Sequence, residues 1–209
     1  MSGRRRLLIA TRNPGKLREY EELLAGLPLE LTYLDDERIA EDVEETGSSF
    51  AENAVQKARH YALVSGLTAL ADDSGLEVDA LGGEPGVRSA RYAGPGATDE
   101  DRYRLLLAKM MDVPREERGA RFRCVIAVAE PEGQTFTAEG TCEGRIAFTP
   151  RGDLGFGYDP VFFLPEYDRT MGQLPSEEKN RISHRARAAH GIRPILEALI
   201  GGDHVSGEG

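Results

Sequence analysis

An α/β fold on a mixed sheet is what this sequence predicts, and three observations predict it. Short apolar runs alternate with helix-period segments through the first hundred residues. Three strand-like runs then follow one another between residues 121 and 148, a spacing that suits antiparallel neighbours. No internal repeat and no long linker divides the chain, so residues 1–200 read as one domain and 201–209 as a polar, Gly-rich tail.

The elements follow in order. Residues 6–10 form a buried strand, after which Asn13-Pro14 opens a helix over 15–26 with Leu17, Tyr20, Leu24 and Leu27 on one face. A second strand spans 29–34. Ser49 and Glu52 have capping-box spacing ahead of a helix that runs to about residue 64, with Phe50, Ala54, Ala58, Tyr61 and Ala62 inward. Residues 68–71 form a strand that the pair Asp72-Asp73, followed by Ser74-Gly75, is expected to break sharply. Residues 82–86 (GGEPG) must be loop. Thr98 caps a helix through Met111. The run 121–129 alternates at Phe122, Cys124, Ile126 and Val128, and strands are expected at 134–139 and 143–148. A last helical region covers 177–200, where Gly191 and Pro194 are expected to bend or interrupt it.

Composition narrows the function classes. The 209 residues suffice for one large domain or two small lobes, and 40% hydrophobic with 30% charged residues suits a globular protein. No apolar run approaches the roughly 20 residues needed to cross a bilayer, and Leu7–Ala10 is too short for a secretion signal. A net charge of -10 argues against nucleic acid as the partner, although local lysines and arginines can still hold a small anion. Arg4–Arg6 reads as a solvated strand lead-in. Cys124 and Cys142 fit no metal spacing and are expected to be thiols in a reducing cytoplasm.

Four segments and the Asp pair carry chemistry. Adjacent acids at a strand end repel, and a divalent cation or a backbone-rich turn would make Asp72-Asp73 tolerable; a solvated turn is the plainer alternative. Thr11-Arg12-Asn13-Pro14-Gly15-Lys16 joins strand to helix, where helix amides, the Thr11 and Asn13 side chains and Lys16 can meet phosphate; it is not a Walker A loop, and an ordinary helix cap is equally open. Glu45 precedes the second helix and can complete a metal site or favour the helix dipole. Lys57, one turn after Asn53, can be solvated or reach a phosphate. In Gly155-Phe156-Gly157-Tyr158-Asp159-Pro160 an aromatic ring between glycines can stack on a base, or the segment is a glycine-bent strand. Lys179, His184 and Arg185 lie within loose reach of one ligand on a helix, or form a basic exposed face.

Taken together, ADDSGLEVDALGGEPGVRSARYAG (71–94), EETGSSFAENAVQKAR (44–59), GFGYDP (155–160) and SHR (183–185) resemble the inosine triphosphate pyrophosphatase family of house-cleaning nucleotide hydrolases. The resemblance runs from Leu7 to about Leu199. It implies an elongated mixed sheet with helices on both sides, two lobes around a nucleotide-binding cleft, a homodimer and a magnesium ion. The implied reaction converts ITP, dITP and XTP to the monophosphate and pyrophosphate. Residue by residue, it makes Thr11, Arg12, Asn13, Pro14, Gly15 and Lys16 a triphosphate loop, with Arg12 standing where relatives often have Gly. Glu45 becomes a metal ligand, and Asp73 a metal-associated proton acceptor. Asp72 and Ser74 support site and substrate, and Lys57 and Lys179 face phosphate. Phe156, Gly157, Tyr158, Asp159, His184 and Arg185 recognise the base. Before the last helix this chain has Leu-Pro-Ser where relatives often place Ser before Pro, a swap expected to alter the cap alone. Two other readings are set against this one: a pyrophosphatase of pyrimidine or modified nucleotides resembling the septum-formation inhibitor family, and a nucleotide sensor that does not cleave.

Overall fold

The computed structural model describes residues 5–201; the first four residues, Arg4 of the basic cluster among them, and 202–209 of the expected tail lie outside the described residues. Among the described residues seven strands form one sheet in the order β2-β1-β3-β4-β5-β6-β7. They are β1 (Arg5–Ile9), β2 (Leu29–Tyr33), β3 (Thr68–Val78), β4 (Gly119–Ala129), β5 (Thr135–Ile146), β6 (Phe162–Leu164) and β7 (Arg169–Thr170). Among the described residues five α-helices accompany them: α1 (Pro14–Leu23), α2 (Phe50–Ser65), α3 (Asp99–Lys109), α4 (Ser176–Ile182) and α5 (His184–Gly201). Among the described residues no helix is long and apolar enough to cross a membrane.

The chain divides into two compact units, residues 5–73, 125–140 and 187–201 in one and 74–124 and 141–186 in the other. In unit 1, β1 pairs in parallel with both β2 (Leu7 opposite Leu31) and β3 (Leu7 opposite Thr68). Parallel crossovers are right-handed, so α1, which leads from β1 to β2, and α2, which leads back across β1 to β3, cover opposite faces of the sheet. The reversal of winding beside β1 leaves a crevice outside the strand C-termini, where α/β folds bind ligands. Leu7, Leu8 and Ile9 are buried on both faces, as such a strand requires, and Ala54, Ala58 and Ala62 give α2 a small-residue stripe with no exposed surface.

Unit 2 has its own core, in which Leu76 and Val78 of β3 pack with Leu106 and Met110, Phe122 of β4, and Phe162 and Leu164 of β6. Its strands β5, β6 and β7 pair antiparallel. Thr98 and Asp101 form a reciprocal capping box that starts α3.

Several expectations need correction. β3 does not stop at the Asp pair but runs to Val78, because partners described below neutralise both carboxylates and Leu76 and Val78 are buried in the unit 2 core. β5 is one strand rather than two: Gly140 lies within it, and Thr141 and Cys142 keep the chain extended. α5 runs through Gly191 and Pro194 without ending, and the break comes at Ser183 instead. There the backbone is extended, and the Ser183 hydroxyl accepts from the Ala186 amide to cap the new helix. Gly201, assigned to the tail, is the last residue of α5. The capping box at Ser49 is only half formed: Ser49 accepts from the Glu52 amide, but the Glu52 carboxylate takes the amide and hydroxyl of Ser48. α1 ends at Leu23, four residues after Glu19, and the short strands β6 and β7 were not expected.

Candidate active site

The loop after β1 is organised by its own polar side chains. Asn13 is the N-cap of α1, and its side-chain oxygen accepts from the amides of Gly15 (2.8 Å) and Lys16 (3.2 Å). Pro14 occupies the first helical position, where no amide is needed. Thr11 Oγ1 accepts from the Asn13 amide at 3.2 Å. The amides expected to meet phosphate are therefore capped by Asn13. Arg12 is turned to Asp35 Oδ1 (2.6 Å) and the Ile39 carbonyl (2.5 Å), which fixes the segment after β2. Lys16 reaches in the other direction, its ammonium 2.9 Å from Asp72 Oδ2.

Consecutive strand residues project to opposite faces, and this resolves the problem of adjacent acids. Asp72 meets Lys16 on α1, whereas Asp73 meets Asn53 and Lys57 on α2. Lys57 is the hub: its ammonium lies 2.7 Å from Glu45 Oε1, 2.7 Å from the Asp72 carbonyl and 3.8 Å from Asp73 Oδ1. Burial would weaken its hold on a proton, but Asp73, Asp72 and Glu45 more than offset that and raise its pKa. Asp73 is raised above the ordinary carboxylate value, chiefly by burial and further by the Glu45 charge, with Lys57 and the Asn53 amide pulling the other way. Glu45 and Asp73, 28 positions apart in sequence, thus share one ammonium.

Asn53 is a residue that the sequence reading passed over. It is fully buried, donates from Nδ2 to Asp73 Oδ2 at 2.8 Å, and accepts from the Gly47 amide on Oδ1 at 2.8 Å. It thereby ties the loop carrying Glu45 to the carboxylate of Asp73. Gly47 is required there, since a Cβ would stand 2.5 Å from Asn53 Oδ1. The signal was available: asparagine is a poor helix former, yet this one sits on the apolar side of α2, three positions after Phe50.

These residues fit a hard divalent cation. Two carboxylates converge on one positive charge, oxygen is the donor, and the Glu45 charge raises Asp73 in a way a cation would relieve. Among the described residues no three His, Cys, Asp or Glu side chains gather as a ready ligand set. A divalent cation bound here would complete its shell with waters and substrate phosphates alongside these carboxylates.

The remaining predicted residues lie in unit 2. The segment Gly155–Pro160 is a turn leading into a 3-10 helix at Asp159–Val161, not a bent strand. Gly155 has φ +82°, and a Cβ there would lie 2.1 Å from Asp159 Oδ2. Asp159 accepts from the Phe156 amide (3.0 Å) and from Lys179 Nζ (2.7 Å) in a buried ion pair. The resemblance gave Lys179 to phosphate and Asp159 to the base; here each neutralises the other. Gly157 donates to Asp99 Oδ2 at 2.7 Å. Tyr158 is buried with its hydroxyl on the Ser89 carbonyl at 2.9 Å, and burial raises its pKa. Ser89 was also overlooked; its hydroxyl accepts from Leu76 and donates to the Gly86 carbonyl. The His184 ring stacks on Phe122 at 4.7 Å and 14°. Arg185 donates to Ser74 Oγ at 2.8 Å, and its guanidinium and the Lys179 ammonium lie 5.6 and 4.8 Å from the Phe156 ring centroid. Planar donors and a partly buried aromatic ring are what a flat heterocycle with a carbonyl acceptor would need.

Residues 7–195 match the Ham1 family. A dITP/XTP pyrophosphatase of Geobacter sulfurreducens is 54% identical over 88% of this chain and 92% of its own length. Another from Bacillus subtilis is 47% identical over 91% of this chain and 96% of its own. The solved structure of a HAM1 protein from Coxiella burnetii superposes with a TM-score of 0.84 at 44% identity, covering 92% of this chain and 98% of that one.

Proposed function

This chain belongs to the Ham1 family, and from that premise we propose that it hydrolyses nonstandard purine nucleoside triphosphates (ITP, dITP and XTP) to the monophosphate and pyrophosphate. The observation that carries the reading is the convergence of Glu45 and Asp73 on Lys57 at the C-terminal end of β1, with Lys16 held beside them by Asp72.

Asp73 is the general base. Its raised pKa makes it a stronger proton acceptor than an ordinary carboxylate, while Lys57 and Asn53 keep it ionised and fix which oxygen is presented. It takes a proton from a water that attacks the α-phosphorus in line, opposite the departing pyrophosphate. Lys16 and Lys57 stabilise the charge that develops on the phosphate oxygens. A magnesium ion held through Glu45 and Asp73 would supply charge neutralisation on the triphosphate and polarisation of the attacked group. Ion pairs to Asp72 and Glu45 keep both lysines in place before substrate arrives, so little reorganisation remains for the reacting complex.

Base selection falls to Arg185 and His184. A guanidinium and an imidazole N–H match a 6-keto oxygen and oppose a 6-amino group, and a buried donor facing a donor discriminates strongly. The homodimer implied by the resemblance and the reducing cytoplasm expected from the cysteines belong to the same reading; buried Cys124 and Cys142, not joined in a disulfide, support the second. The test is incubation with ITP and magnesium. IMP with pyrophosphate is expected; orthophosphate alone contradicts the bond assignment, and no product favours a sensor.

A further inference from the structure

Arg118 is 2% exposed, and among the described residues its charge meets no carboxylate. Its partners are four backbone carbonyls: Ile146 (2.8 Å), Met110 (2.6 Å), Val113 (3.2 Å) and Ala147 (3.1 Å). Phe148 lies across it with the guanidinium 4.3 Å from the ring centroid, although the Phe148 side chain is 59% exposed. Ile146, Ala147 and Phe148 in turn line an open recess of about 220 Å³ whose rim carries Arg115, Arg145 and Arg151. Among the described residues none of these three arginines has an ion-pair partner. One acid, Asp168, lines the recess; Glu116 and Glu117, next to Arg115 in the chain, do not. Three guanidinium groups against one carboxylate is a pronounced local excess in a chain of net charge -10.

We propose that this recess is a second anion site that takes a condensed phosphate, in the form of inorganic pyrophosphate. It uses none of the residues assigned to hydrolysis. Arginine forks suit phosphate oxygens, and pyrophosphate carries more charge than sulfate or orthophosphate, matching the excess of guanidinium groups. Size argues against a whole nucleotide, since pockets that enclose ligands of that class begin at about 300 Å³. The ligand is also the small product of the proposed reaction, so the site would be filled where turnover is high.

The experiment is amide-resolved NMR of the full chain in metal-free buffer, titrated with sodium pyrophosphate, with sulfate at equal ionic strength and IMP as parallel arms. Saturable shifts at residues 145–151 with pyrophosphate alone are expected. Arg145→Glu should weaken that binding about tenfold or more, the loss expected for a charge-assisted hydrogen bond. Arg151→Ala probes the same recess from another segment, should the charge reversal disturb folding. Both variants should turn over ITP at the wild-type rate when product is kept low. Absence of saturable shifts at 145–151, equal shifts from sulfate, tighter binding of IMP there, or shifts that survive both substitutions would each overturn the assignment. ITP turnover is scored separately, so failure here leaves the hydrolytic reading standing.

Discussion

Replacing Lys57 by Met tests the hub of the candidate site most directly at the level of stability. The substitution keeps an unbranched apolar stem one atom shorter and removes the charge shared by Glu45 and Asp73. At an effective dielectric near 20, an ion pair at 4 Å is worth about 4 kcal/mol before desolvation is counted. Removing one partner of a buried pair costs about 3–5 kcal/mol, because the other charge is left uncompensated. Glu45 remains 23% accessible at its side chain and can rehydrate, which places the expected loss near the low end, about 3 kcal/mol. For a chain of this length each kcal/mol moves the thermal midpoint by roughly 2–4 °C, so metal-free Lys57→Met should melt about 6–12 °C below wild type. Magnesium should then recover more stability in the variant than it adds to wild type, since a cation can take the place of the ammonium. Calorimetry in chelator and in excess magnesium measures both effects. A variant as stable as wild type in chelator would refute the claim that the two carboxylates depend on this lysine.

Three further outcomes follow from the same geometry. Asn53→Ala leaves the Gly47 amide without its acceptor and Asp73 without a donor, so it should cost about 2–5 kcal/mol by denaturant melt and lower kcat more than it raises KM; equal activity would show that Asn53 positions nothing. Asp73 has a folded pKa above its unfolded value of 3.8, so ionising it disfavours the fold: that contribution is present below the unfolded pKa and lost as pH rises through the raised folded pKa. Metal-free Asp73→Asn should therefore lose less stability than wild type across that interval, and a steeper loss in the variant would reverse the sign of the argument. Arg185→Lys removes the fork that meets Ser74 Oγ and the guanidinium face near Phe156, and should narrow the preference for dITP over dATP about tenfold or more; unchanged kcat/KM ratios for the two nucleotides would contradict a role for Arg185 in reading the base.

Local rules carried the first half of the fold. The Asn13-Pro14 start of α1 and the Ser49 cap of α2 follow from side-chain chemistry within four residues, and the structure keeps both. What defeated them was tertiary compensation. Asp72-Asp73 looks like a strand end because the sequence shows two charges and not the lysines, sixteen and fifty-six positions away, that absorb them. Pro194 and Gly191 looked like breakers, but the break fell at Ser183, which offers the next helix a cap. At the site, the meeting of Glu45 with Asp73 was implied by resemblance and is present as a shared contact with Lys57. The part played by Asn53 was not legible, because an asparagine inside a helix announces strain but not its partner. Lys179 was given to phosphate on sequence grounds, and its burial against Asp159 depends on a turn at Gly155 that no periodicity reveals.

The central claim is that water attacks the innermost phosphorus. Hydrolysis of ITP in ¹⁸O-labelled water with magnesium, followed by mass spectrometry of both products, tests it in one step. One labelled oxygen in IMP and none in pyrophosphate is the predicted result. Label in the pyrophosphate, with unlabelled IMP, would place the attack at the β-phosphorus and contradict the account.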